Sequence, residues 1–82
     1  MNDIKAEVRQ YILDNFLMGG DPGRVTESTS FIGKGIVDST GVLELVAFLE
    51  KTYGIHVEDM EMVPENLDTL ASIEKYIRSK LS

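Results

Sequence analysis

Few side chains in this 82-residue sequence can make or break a covalent bond, and they lie far apart along the chain. There is no cysteine, which excludes thiolate nucleophiles, disulfides and zinc–thiolate sites. The one histidine is His56. The hydroxyl in the most telling setting is Ser39, in the run Gly35-Ile36-Val37-Asp38-Ser39-Thr40-Gly41-Val42-Leu43-Glu44-Leu45. A serine is a weak nucleophile until a base takes its proton, and a catalytic serine needs a histidine oriented by an acid. The helix expected after Ser39 is about 15 residues long and would hold His56 some 20 Å away, at ~1.5 Å per residue. An internal Ser–His pair is therefore not expected.

Other constellations are weaker. Glu58, Asp59 and Glu61 form an acidic run, but such runs are usually a solvated face. The calcium-loop pattern of alternating acids around a central glycine is absent. Gly33-Lys34-Gly35 lacks the spacing of a phosphate-binding loop. Ser39 is left as an acceptor, a group on which another enzyme acts. At a helix start its hydroxyl is held by a rigid element and faces solvent. A phosphodiester on its oxygen would meet free backbone N–H groups and the positive end of the helix dipole. Position alone also allows a plainer role, with Asp38 or Ser39 serving only as the helix N-cap.

The elements that must position Ser39 are legible in the apolar spacing. Ile4, Val8, Tyr11, Ile12 and Phe16 recur every three or four residues and predict a first helix over about 3–17. Asn2 or Asp3 would cap it, and Gly19 and Gly20, followed by Pro22, would stop it. No period holds from Met18 to Val37, where glycines alternate with Thr26, Ser28, Thr29 and Ser30. So long a connection in a small protein is usually either functional or the sign of a wrongly assigned element. Phe31, Ile32, Ile36 and Val37 should anchor its later half across the helices.

Val42, Leu45, Val46, Leu49 and Tyr53 predict a second helix from Ser39 to Tyr53, ended by Gly54. Leu43, Ala47 and Phe48 widen its apolar surface, so it is either central or offers a second apolar patch. Ile55 and Val57 should alternate inward, and 58–62 should form a turn of helix. Pro64-Glu65-Asn66-Leu67 reads as a brief helix with proline at its first position. A last helix, capped by Asp68 or Thr69, carries the stripe Leu70, Ile73, Ile77 and Leu81 beside Tyr76. Arg78 and Lys80 lie in its final turn, where the dipole favours cations. The expected fold is all-α: a small bundle of three main helices and one short one, with a long loop between helices 1 and 2. Residues 1–82 form one domain.

Composition narrows the partners. Asp and Glu number 14 against 8 Lys and Arg, giving a net charge of −6. Nucleic acid is a poor partner for that surface, and basic protein surfaces are natural ones. The charge also serves solubility. No basic segment followed by an apolar run opens the chain, and no stretch approaches the ~20 apolar residues that span a bilayer. A cytoplasmic protein with no membrane role is expected, as a monomer.

Asp38-Ser39, preceded by Gly35-Ile36-Val37 and followed by Val42, Glu44, Leu45 and Val46, resembles the attachment motif of acyl and peptidyl carrier proteins. The order of elements is similar too. Pro64-Glu65-Asn66-Leu67-Asp68-Thr69-Leu70 looks like the linker of stand-alone carriers outside the housekeeping fatty-acid type. The resemblance covers nearly the whole chain. It implies that Ser39 receives 4′-phosphopantetheine from coenzyme A, delivered by a phosphopantetheinyl transferase that supplies the base and metal. The thiol of that arm would hold an acyl or aminoacyl group as a thioester, so the protein would carry and not catalyse. Loading ligases and downstream synthases or transferases would be its other partners. By the family pattern Asp38, Glu44 and Glu50 map onto acidic positions read by basic partners, and Val42 onto the apolar part of that contact. An ordinary exposed helix face explains Glu44 and Glu50 equally well.

The sequence departs from the pattern at three places. Thr40 stands where leucine is usual, Gly41 where an acidic or polar residue is frequent, and Lys51 where a third acid is common. Gly41 lowers helix propensity by up to ~1 kcal/mol relative to alanine, which predicts a looser first turn. Together these changes suggest a dedicated pathway. Cargo would partly enter the bundle past the inward face of helix 2. The reading from another class is a small helical interaction module in which Ser39 only caps. A serine hydrolase fails for want of a nearby base.

Overall fold

The spacing of Ile4, Val8 and Ile12 puts three side chains on one side of a helix, and all three are buried together. The computed structural model describes residues 3–17 and 22–81. In chain order its helices are α1 (Ile4–Phe16), α2 (Ser39–Tyr53), α3 (Pro64–Leu67) and α4 (Leu70–Leu81). Single 3₁₀ turns occupy Pro22–Arg24 and Asp59–Glu61. No strand occurs among the described residues, so the expected all-α bundle is what forms.

Local chemistry sets the ends. Asp3 caps α1 by accepting the Ala6 N–H at 3.1 Å. Asn2, the other expected cap, and Gly19 and Gly20, the expected stop, lie outside the described residues. The last bond of α1 runs from the Leu17 N–H to the Ile12 carbonyl. Gly54 closes α2 at φ 67°, a left-handed conformation that glycine adopts without a Cβ clash. Thr69, not Asp68, caps α4, its hydroxyl accepting the Ser72 N–H at 3.1 Å.

The core joins Leu13 of α1, Leu45, Val46 and Leu49 of α2, and Leu70, Ile73, Tyr76 and Ile77 of α4 to the α1 stripe. Each such side chain contributes roughly 1.5–3 kcal/mol by leaving water. Leu81 departs from its expected stripe and is 55% exposed. It is the final residue of α4, one turn beyond Ile77, the last buried residue of that helix, and periodicity cannot sense where a core ends.

The long connection lies across the helices as expected. Val25, Phe31 and Val37 are buried. Asp68 holds the segment in place. Its carboxylate accepts the Ser30 hydroxyl and the Ile32 N–H, and its carbonyl accepts the Phe31 N–H at 2.9 Å. The Phe31 carbonyl in turn accepts the N–H groups of Ile36 and Val37, at 2.8 and 3.1 Å. This chain of bonds runs from the α3–α4 junction to the residue before Asp38, which fixes where α2 begins. Among the described residues no helix is long and apolar enough to cross a membrane.

Candidate functional site

Asp38 settles which residue caps α2. Its backbone is extended and its carboxylate accepts the Gly41 N–H at 2.7 Å, while its carbonyl accepts the Val42 N–H at 2.9 Å. Ser39 is therefore relieved of capping. It is the first residue of α2, it is exposed, and its hydroxyl makes no hydrogen bond among the described residues. The N–H groups of Ser39 and Thr40 have no intrahelical acceptor. An exposed hydroxyl thus stands beside open amide donors at the positive end of a helix dipole, which suits a bound phosphate.

Gly41 is not a weak point in the first turn. It is buried, and a Cβ there would lie 2.8 Å from Phe16 Cε1, 3.1 Å from Val37 Cγ1 and 3.3 Å from Asp38 Oδ1. The missing side chain lets the end of α1 close directly onto the start of α2. The looser turn expected from propensity is overridden by this packing, because propensity counts backbone freedom and not the contact a neighbouring helix makes.

The other expected residues fall into two groups. Glu44 is exposed, and its carboxylate makes no hydrogen bond or ion pair among the described residues. Its carbonyl accepts the Tyr11 hydroxyl at 3.2 Å, and burial together with the Glu44 charge raises the pKa of that tyrosine. Val42 is half-buried and packs on the core. The outward apolar residue of this turn is Leu43, 60% exposed. Sequence spacing had marked Leu43 only as widening an apolar surface, since a helix apolar over so much of its girth does not reveal which side is covered.

Glu50 differs. It is half-buried, and its Oε2 accepts the Val57 N–H at 2.9 Å and lies 3.4 Å from His56 Nδ1. His56 Nε2 lies 3.4 Å from Glu58 Oε1. The histidine follows the end of α2, whereas Ser39 begins it, so the two remain on opposite ends of the helix as expected. Among the described residues no three His, Asp or Glu side chains are grouped to hold a metal ion.

A cleft of about 300 Å³ opens beside Ser39, between the end of α1 and the start of α2. Asp38 and Thr40, on either side of Ser39, both line it, with Asn15, Phe16 and Glu44. No family model matches the chain. Over 81 residues it is 31% identical to an acyl carrier protein of Phenylobacterium zucineum, covering 99% of this chain and 98% of that one. Over 80 residues it is 32% identical to an acyl carrier protein of Caulobacter vibrioides, covering 98% and 97% respectively.

Proposed function

The chain belongs to the acyl carrier protein family, carriers and not catalysts, and from that premise we propose that Ser39 bears its 4′-phosphopantetheine arm. The observation that carries this reading is the division of labour at the start of α2. Asp38 closes the helix, which leaves the Ser39 hydroxyl exposed and free to react. In the attachment step Ser39 Oγ forms a bond to the pantetheine-bearing phosphorus of coenzyme A, and adenosine bisphosphate leaves. The proton passes to a base of the phosphopantetheinyl transferase, since His56 lies beyond the other end of α2. Once attached, the arm supplies a thiol that holds an acyl or aminoacyl group as a thioester.

The chain's own residues then do two things. The open N–H groups of Ser39 and Thr40 favour the phosphate charge. Leu43 and Glu44 offer an apolar and an acidic contact to loading ligases, synthases and the transferase, with opposite charge speeding encounter. Asp38 contributes through the cap, Val42 by packing the first turns of α2 onto the core, and Glu50 by holding the link after α2. Residues 1–82 act as one carrier domain, monomeric and cytoplasmic. Thr40, Gly41 and Lys51 mark it as a specialised carrier of a dedicated pathway.

Intact mass after incubation with coenzyme A and a broad-specificity phosphopantetheinyl transferase tests the reading. The wild type is expected to gain one phosphopantetheine and Ser39→Ala none. A folded wild type that gains nothing would leave the other reading, an interaction module docking through the exposed Leu43.

A further inference from the structure

The cleft beside Ser39 does not stop there. It shares Asn15 and Glu44 with a second, larger cleft of about 560 Å³ between α1 and α2, lined also by Tyr11, Ala47, Phe48 and Lys51. The two clefts adjoin at these residues and together form a seam along the outside of α2, from Thr40 toward Lys51. From Thr40 to Ala47 the helix rises ~10 Å at ~1.5 Å per residue. The arm proposed above consists of a phosphate and three residue-sized units in series, which chain geometry allows to span ~10 Å.

Both clefts mix polar and apolar walls. Near Ser39, Thr40, Asn15 and Glu44 can meet the hydroxyl and amide groups of an arm, beside Phe16 and Ile36. Farther on, Tyr11 and Phe48 add an aromatic wall to a cleft that Lys51 also lines. Tyr11 and Phe48 stack with ring centroids 4.1 Å apart and planes at 15°, and Phe16 meets Tyr11 edge-on at 5.9 Å. Both rings of the stack are only partly covered. On its other side α2 turns Leu45, Val46 and Leu49 into the core, each no more than 5% exposed. Cargo entering there would have to displace packed side chains, whereas the seam is already open.

Building on the attachment at Ser39, we infer that the loaded arm folds back along the α1–α2 seam and seats a compact aromatic acyl group against Tyr11 and Phe48. A planar cargo fits a shallow cleft with an aromatic wall, since ring edges and faces pair favourably. A long aliphatic chain gains little there, because a shallow cleft leaves most of its length in water.

The test uses isotope-labelled full-length protein, first shown by mass to carry the arm and then loaded with benzoyl or octanoyl thioester. The benzoyl form is expected to give nuclear Overhauser contacts from the cargo to the Tyr11 and Phe48 rings, with upfield shifts of the cargo protons. Ala47→Trp, a change at an exposed position that fills the seam, should abolish both. Contacts to Leu49 or Ile73 instead would place the cargo in the core and overturn the inference. So would the absence of any contact, or octanoyl contacts as strong as those of benzoyl. Failure to gain the arm at all would remove the attachment itself, a result the mass measurement reports separately.

Discussion

At the start of α2, Thr40, Leu43 and Glu44 face outward and hold little of the fold together. At its end, the same helix is tied to its neighbours. Glu50 accepts the Val57 N–H, and the Tyr53 hydroxyl donates to Glu7 at 2.6 Å. The difference lies in which backbone groups still need a partner. At the start, Asp38 takes the Gly41 N–H, and the open N–H groups belong to the exposed Ser39 and Thr40, so no glutamate of α2 is drawn in. At the end, Gly54 turns the chain into an extended link whose Val57 N–H needs an acceptor, and Glu50 is the acid within reach. Two glutamates on one helix thus separate into a carboxylate free for a partner and one engaged in the fold.

Closing the gap at Gly41 should have the largest effect on this contrast. Gly41→Ala forces Phe16 to shift and crowds the Asp38 cap. A loss of about 1–3 kcal/mol is expected, as for other overpacked sites, read by chemical denaturation. The attachment rate at Ser39 should fall with it. If Gly41→Ala were neutral, the two helices would not be in the tight contact described.

Next come the two glutamates. Glu50→Ala should cost about 1–2 kcal/mol, because a partly buried N–H loses a charged acceptor. Glu44→Ala should stay within about 0.5 kcal/mol of wild type, yet slow association with a basic partner and flatten its salt dependence. Equal stability losses for the pair would erase the distinction drawn above. Asp38→Ala should lose about 1 kcal/mol of capping while Ser39 remains exposed.

The smallest effect concerns pH. Tyr76 donates to Glu61, and burial, followed by that carboxylate, pushes its pKa from 10.0 up to about 12. A raised folded value means that its contribution is complete below pH 10.0 and is lost as pH rises through about 12. Ultraviolet difference titration should show late ionisation, accompanied by a loss of stability over the same range. The Ser39 amide resonance should not follow this titration.

Much of the architecture was legible from spacing. The stripes Ile4–Val8–Ile12 and Leu70–Ile73–Ile77 each bury where period and capping residues put them. Pro64, Gly54 and Asp3 mark ends by their own backbone or side-chain chemistry. Spacing could not choose between Leu43 and Val42, or between Glu44 and Glu50. Those pairs look alike along one helix and differ only in what other segments bring near them. It also misjudged Gly41, whose meaning depends on Phe16, and Leu81, whose meaning depends on where the core stops.

By itself, then, the sequence determined the helices, their caps and the placing of the Ser39 hydroxyl at a helix start, because these follow from neighbours a few residues apart. The tertiary structure alone decided that Gly41 is closed over by Phe16, that Asp68 anchors the long connection, and that a seam opens between α1 and α2. Each depends on groups distant in sequence meeting across the fold, and local periodicity carries no information about such meetings.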